Sequence, residues 1–226
     1  MREYTKWEKF QNWFHYNKLG VIAVVVILWV AGTMLWNVLG IGEVEPDYRF
    51  AYVGSRKLTD GTIEALETAL AAFGTDANGD GTVTVSVTQH ISGNDSNAEN
   101  MMYGYASEIT VLADITGGES TFFLLEDPVD FQLSFQVLAN LDGSIPADDD
   151  YEALDKVFRW ADCPALATLD LGTYEDNYLD ITETGEVQDL LANLCLGRRY
   201  YYDPAQQENP EGDNALWLAM TEGATQ

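Results

Sequence analysis

The sequence is poor in basic residues, histidine and cysteine. Its 226 residues contain 11 Lys and Arg against 37 Asp and Glu, so the formal net charge at pH 7 is -26. A chain this acidic repels polyanions, which excludes nucleic acid as a partner. The composition is otherwise that of a folded protein, with 46% hydrophobic and 12% aromatic residues.

Catalytic signatures are also missing. The patterns G-x-S-x-G, S-x-x-K and H-E-x-x-H, which mark serine nucleophiles and zinc proteases, do not occur. His90 is one of 2 histidines in the chain and follows alternating valines, as an ordinary strand residue does. Carboxylates are so numerous that a close pair of them in the fold would be weak evidence of catalysis. We therefore expect a protein that is not an enzyme.

Charge is absent from one long apolar run, residues 19–41. As a helix, this run would reach about 34 Å, enough to cross a hydrocarbon core of roughly 30 Å. Basic residues precede the run and acidic residues follow it, so the positive-inside rule predicts a single-pass membrane protein with a cytoplasmic N-terminus and an extracellular C-terminal domain. A cleaved signal peptide has the same order of features, but its apolar core is usually shorter.

The segments on either side of this run differ in character. Residues 1–18 interleave lysines with aromatic residues, which suits a cytoplasmic leader that lies at the inner headgroup boundary as a short amphipathic helix. Residues 42–47 form a short acidic linker, and residues 48–226 remain for one acidic extracytoplasmic domain. The aromatic residues of the leader are Tyr4, Trp7, Phe10, Trp13, Phe14 and Tyr16.

Strand and helix patterns alternate over the first part of the outer domain. This order predicts an α/β fold with three layers and a mainly parallel sheet. The second helix is expected to turn one apolar stripe toward the sheet, formed by Met101, Met102, Tyr105, Ile109 and Leu112. The predicted elements are strand 48–55, helix 60–73, strand 82–91, helix 97–116 and strand 121–125.

The pattern is looser in the second part of the domain. Asp127 and Pro128 predict the N-cap and first turn of a third helix. Residues 157–166 and 194–202 are expected to be extended, and a capped terminal helix is expected from Asp213 to Gly223. Arg198 and Arg199 stand among acidic residues, so we predict that they form an internal ion-pair centre.

A loop before the second predicted strand resembles the start of an EF-hand. Four residues match positions 1, 3, 5 and 7 of such a loop: Asp76, Asn78, Asp80 and Thr82. Position 12 is Val87 where an EF-hand has Glu. The loop is either a weak calcium site or a turn in which Asp, Asn and Gly supply Asx hydrogen bonds and positive φ angles.

The two cysteines, Cys163 and Cys195, are 32 residues apart, unlike the close spacing of a metal or redox motif. A disulfide between them would stabilise the domain by about 3–4 kcal/mol in the chain-entropy model. Two reduced, buried thiols are the alternative. The sequence leaves both states open.

The stretches GDGTVTVSV, ASEITVLADITGGES and FFLLEDPVDF resemble the first lobe of extracellular solute-binding proteins of ABC transporters. The aromatic leader is similar to that of small anchored envelope proteins of Gram-positive anaerobes. The resemblance covers under half of the chain and implies a domain like one lobe of a type II periplasmic-binding fold. It also implies binding of a small-molecule ligand or of an envelope protein partner.

The leading functional hypothesis is therefore a membrane-tethered extracytoplasmic binding or accessory domain of solute-binding type, because tethering raises the effective concentration near membrane partners. Two alternatives come from other classes. One is a structural or adhesion module of the cell envelope with a weak calcium site. The other is an envelope hydrolase that uses a pair of carboxylates.

Overall fold

The computed structural model describes residues 5–38, 45–91, 98–178 and 181–225. The chain divides into two compact units, residues 1–44 and residues 45–226.

The first unit contains one long helix, α1, Lys6–Val38. Its segment Trp13–Leu35 is long and apolar enough to cross a membrane, and is consistent with a membrane anchor or a signal sequence. The leader was expected to form a separate helix, but its described part continues into the apolar segment without a break. Trp7, Phe10 and Phe14 stack along this helix, because residues three or four apart share a helix face.

The second unit is an α/β domain with a mixed five-stranded sheet and a separate hairpin. The sheet has the order β2-β1-β3-β7-β4, and the hairpin consists of β5 and β6. The strands are β1 Tyr48–Gly54, β2 Val85–Ile91, β3 Phe122–Leu125, β4 Val157–Arg159, β5 Thr173–Tyr178, β6 Ile181–Glu186 and β7 Cys195–Arg198. The helices are α2 Asp60–Ala71, α3 Ala98–Gly117, α4 Pro128–Phe135, α5 Pro164–Ala167, α6 Val187–Leu191 and α7 Pro210–Met220, with 3₁₀ turns Trp160–Asp162 and Pro204–Gln206.

The sheet is parallel only in the half formed first along the chain. Strand β1 pairs with both β2 and β3 in parallel, whereas β7 is antiparallel to both of its neighbours, β3 and β4. The expectation of a mainly parallel sheet therefore needs correction to a mixed one. Between β4 and β7 the chain passes through α5, the β5–β6 hairpin and α6. These strands are antiparallel, so they do not need the crossover connection that parallel strands require.

Local signals explain where the helices begin. Thr59 accepts a hydrogen bond from the Thr62 amide and caps α2, as the sequence predicts. Asp127 caps α4 in the same way, followed by Pro128 in the first turn. Helix α7 begins earlier than predicted, because Asn209 caps it through the Gly212 amide.

Helices cover both faces of the sheet. One face of β1 places Phe50 and Tyr52 in a core cluster with Leu66 of α2 and Trp217 of α7. The opposite face belongs to a second cluster that includes Ala51 of β1, Val111 of α3 and Phe131 of α4. Alternation of side chains along β1 divides the apolar core into these two layers.

Both cysteines are free thiols. Cys163 belongs to the first core cluster, whereas Cys195 packs against the second, on the other side of the sheet. A disulfide within one chain would need the two side chains to meet through the sheet. Burial raises the pKa of the Cys163 thiol to about 11, which keeps it protonated at neutral pH.

The prediction that Ile109 and Leu112 turn toward the sheet is wrong. Their exposed fractions are 68% and 54%, whereas Val111 is 4% exposed. Helix α3 instead faces the sheet with Val111, Ile115 and a polar group centred on Asp114. Met101, Met102 and Tyr105, the other members of the predicted stripe, lie outside the described side chains.

Candidate functional site

The order of strands creates a crevice at the carboxyl ends of β1 and β3. The chain leaves β1 toward β2 on one side and later enters β3 on the other side of β1. The connections that follow β1 and β3 therefore diverge, and in α/β sheets this switch point, at the carboxyl ends of the strands, is where ligands bind. Ser55 follows β1 here, and Glu126 follows β3.

Glu126 joins the two strand ends. Its carboxylate accepts hydrogen bonds from the Ser55 amide and, at 2.9 Å, from the Ser55 hydroxyl. The backbone allows this close approach because residue 54 is Gly: a Cβ there would lie 2.9 Å from Glu126 Oε2 and closer still to the Tyr52 ring. The carboxylate is thus held in a fixed position where β1 and β3 end.

Helix α4 adds further acidic groups beside Glu126. Asp127 Oδ1 accepts the amides of Val129 at 3.1 Å and Asp130 at 3.0 Å, which caps the helix. Asp130 lies in the first turn, where the helix dipole favours a negative charge. Three carboxylates therefore follow within one short segment after β3.

These groups line a groove between α3 and α4, which we call the switch-point groove. Its volume is about 940 Å³, near the upper end of the range of roughly 300–1,000 Å³ typical of ligand pockets. Ile109 and Leu112 line it from α3, and Asp130 and Ser134 line it from α4. The remaining lining residues are Val53, Ser55, Ser107, Glu108, Val111, Glu126, Asp127, Phe131 and Phe135.

A buried polar network explains why α3 presents Ile109 and Leu112 to the groove. Asp114 Oδ2 lies 3.2 Å from His90 Nε2 and accepts the Ser120 hydroxyl at 2.8 Å, while His90 Nδ1 lies 3.2 Å from the Thr110 hydroxyl. Burial pulls the pKa of Asp114 upward, but hydrogen bonds from His90 and Ser120 outweigh it and hold that pKa below its ordinary value. Polar pairing thus sets the rotation of α3.

The arginine nearest the groove in sequence is already engaged. Arg56 donates to Asp176 at 3.0 Å and to Glu183 at 2.8 Å in the β5–β6 hairpin, and its guanidinium lies 5.5 Å from the centre of the Tyr174 ring. The hydrogen bonds that Arg56 donates to Glu183 and Asp176 raise the pKa of Arg56, so it stays charged. Among the described residues that line the groove there is no Lys or Arg.

A second polar cluster lies at the amino end of β3. Arg198 donates to Asn214 at 3.1 Å and to the Leu141 carbonyl at 2.8 Å, and it stacks on Trp217 at 4.8 Å. Arg199 donates to the Ile115 carbonyl in the last turn of α3 at 2.8 Å. Neither arginine forms an ion pair within the described residues, so the predicted ion-pair centre is wrong: carbonyl and amide oxygens take the place of carboxylates.

In the predicted calcium loop, residues 76–82, backbone amides donate hydrogen bonds to side chains of the same loop. Asp76 accepts the amides of Gly79 at 2.6 Å and Gly81 at 2.9 Å, and Asp80 accepts the Thr82 amide at 2.8 Å. Asn78 accepts the Asp80 amide at 2.9 Å. Both glycines have positive φ angles, 77° and 94°, as Asx turns of this kind require.

The donor set of this loop fits calcium only weakly. The three acidic or amide side chains are exposed and close in sequence, but no group of three His, Cys, Asp or Glu side chains in the described part of the chain is placed to hold a metal ion. Hydrogen bonds from Thr82 lower the pKa of Asp80, so its carboxylate is charged at neutral pH. Calcium binding at Asp76, Asn78, Asp80 and Thr82 stays a prediction.

Comparison of the chain with protein-family models, with curated proteins and with solved structures finds no match. Functional conclusions therefore depend on the chemistry of the groove.

Proposed function

We propose that the chain is a membrane-tethered extracytoplasmic binding domain, not an enzyme, and that it holds its ligand in the switch-point groove. The observation that carries this proposal is an open groove of ligand-pocket size at the carboxyl ends of β1 and β3, with exposed apolar side chains on one wall. Exposed apolar surface of this kind is typical of binding sites.

The tether is supported by the sequence around α1. Basic residues precede the apolar segment, and 35 of the 37 acidic residues follow Gly42, which favours a cytoplasmic N-terminus and an extracellular domain in a single-pass protein. Protease added to intact cells should remove the domain and leave a small membrane-bound fragment. Protection of the entire chain would overturn this topology.

The β1-α2-β2-α3-β3 order supports a relationship to one lobe of a solute-binding protein. The mixed second half departs from the mainly parallel arrangement expected for that lobe. We propose that the chain uses the parallel half for binding and that its antiparallel half completes the core. A structural or adhesion module would need no groove, and a hydrolase would need two carboxylates that converge on one substrate bond.

A panel of ligands can test the proposal with the full chain in nanodiscs. The panel contains amino acids, short peptides of either charge, and oligosaccharides, and the readout is the melting temperature. Ser134 lines the groove, so Ser134→Trp should abolish any stabilisation by a ligand. Leu133 is an exposed neighbour outside the groove lining, so Leu133→Trp is the matched control.

The expected result is that at least one ligand class stabilises the parent and Leu133→Trp chains but not Ser134→Trp. Stabilisation of all three chains, or of none, would contradict ligand binding in the groove.

A further inference from the structure

We infer that the ligand of the switch-point groove is a basic peptide segment with apolar side chains. This inference rests on the proposed function and names the chemical class of its ligand. The groove combines two features: negative charge that no Lys or Arg among its described lining residues compensates, and an exposed apolar wall.

The charge is provided by four carboxylates that line the groove, on Glu108, Glu126, Asp127 and Asp130. Glu126 and Asp127 already accept hydrogen bonds from Ser55 and from the first turn of α4. Glu108 and Asp130 take part in no side-chain hydrogen bond or ion pair within the described residues. These two carboxylates are therefore the ones free to receive a Lys or Arg side chain.

The apolar wall is provided by Ile109 and Leu112, which are 68% and 54% exposed. Buried Val111 and Phe131 extend the same apolar surface at the base of the groove. A peptide that places apolar side chains here removes this surface from water, whereas an inorganic cation leaves it exposed. Apolar contact and charge together favour a ligand that carries both.

Two other occupants are excluded: a single amino-acid side chain by the size of the groove, and a second copy of this chain by its charge. A groove of about 940 Å³ is larger than a single amino-acid side chain needs, so it suits several residues of a peptide. A second copy of this chain would bring the same formal charge of -26, and like charges across an interface oppose association. A cationic partner is attracted by the charge that repels a second copy.

Fluorescence anisotropy with a labelled hexapeptide of alternating Lys and Leu tests this inference. The full chain is held in zwitterionic nanodiscs, and empty nanodiscs give the baseline for peptide that binds lipid. Two matched probes replace Lys by Glu or Leu by Ser. The expected result is saturable binding of the Lys/Leu peptide, with weaker binding of both matched probes.

The double variant Glu108→Gln/Asp130→Asn should weaken binding of the Lys/Leu peptide about tenfold, which is the scale of two exposed ion pairs. The control Asp148→Asn/Asp149→Asn removes the same charge outside the groove lining and should change affinity less than about twofold. An equal loss in both variants would show diffuse attraction only and would overturn the inference.

Failure of the inference is distinguishable from failure of the proposed function. If another ligand class stabilises the parent chain and loses its effect in Ser134→Trp, the groove binds a ligand but not a basic apolar peptide. If nothing binds in a way that Ser134→Trp abolishes, both proposals are wrong.

Discussion

The polar groups at the two ends of β3 differ in their exposure to solvent. At the carboxyl end, Glu108 and Asp130 line an open groove beside exposed apolar side chains. At the amino end, Arg198 and Asp213 are buried and the Asp114 side chain is only 8% exposed. Hydrogen bonds or stacked rings enclose these groups. Because a buried polar group without a partner costs far more than an exposed one, the amino end should determine stability and the carboxyl end should determine binding.

Replacement of Asp114 should have the largest effect on stability. Asp114→Ala leaves His90 and Ser120 without their shared partner, and each buried polar group that loses its partner costs about 1–3 kcal/mol. The free energy of unfolding in urea measures this loss. The exposed control Asp148→Ala should change that free energy by less than about 0.5 kcal/mol.

The pH dependence of this effect has a definite sign. The folded pKa of Asp114 is lowered from its ordinary value of 3.8. Its contribution to the free energy of unfolding is therefore present above that value and is lost as the pH falls through the folded pKa. A loss in Asp114→Ala that grew on acidification below pH 3 would contradict this assignment.

Asp213→Asn should stabilise the domain at neutral pH. Burial raises the pKa of Asp213 from its ordinary value of 3.8 to about 6, so the folded state holds this proton more tightly than the unfolded state. The free energy of unfolding therefore falls as the pH rises from about 4 to above 6, by at most about 3 kcal/mol. Asn carries no such charge and still accepts the hydrogen bond that Gln207 donates.

Unfolding of the parent and Asp213→Asn chains at pH 4 and pH 8 checks this prediction. The variant should gain stability over the parent at pH 8, and the gain should nearly disappear at pH 4. A gain of equal size at both pH values would show that the charge of Asp213 is not its cause.

The sequence predicts the parallel half of the domain better than the antiparallel half. Thr59, Asp127 and Pro128 act on residues a few positions away, so the starts of α2 and α4 follow from local pattern. The pairing of β7 with β3 joins residues 70 to 76 positions apart, and the β5–β6 hairpin lies in a segment with no predicted strand. No local signal indicates either.

The site was missed for a related reason. Helical spacing alone predicts that Ile109 and Leu112 face the sheet. The contact of His90 with Asp114, which sets the actual rotation, joins residues 24 positions apart and leaves no local signal in the sequence. The alternation of strands and helices could have indicated a switch point, and the run Glu126-Asp127-Pro128 after an apolar strand could have indicated its acidic rim. Contact of Ser55 with Glu126 needs the folded chain.

Calcium should have the smallest effect on stability. Calcium at ten times its dissociation constant would add about 1.4 kcal/mol if it bound only the folded state. The melting temperature of the full chain in Ca²⁺, Mg²⁺ and matched NaCl separates a site from charge screening. Asp76→Ala/Asp80→Ala should lose the gain specific to Ca²⁺, and an equal gain in both chains would leave the loop as a turn only.

The rotation of α3 creates the apolar wall of the groove, so ligand binding there depends on it. Single cysteines at Ile109, Leu112 and Val111 test it by alkylation of the native full chain, followed at each position by peptide mass. We predict fast alkylation of Ile109→Cys and Leu112→Cys, slow alkylation of Val111→Cys, and protection of the two fast sites by the Lys/Leu peptide. Fast reaction of Val111→Cys with slow reaction of the other two would contradict it.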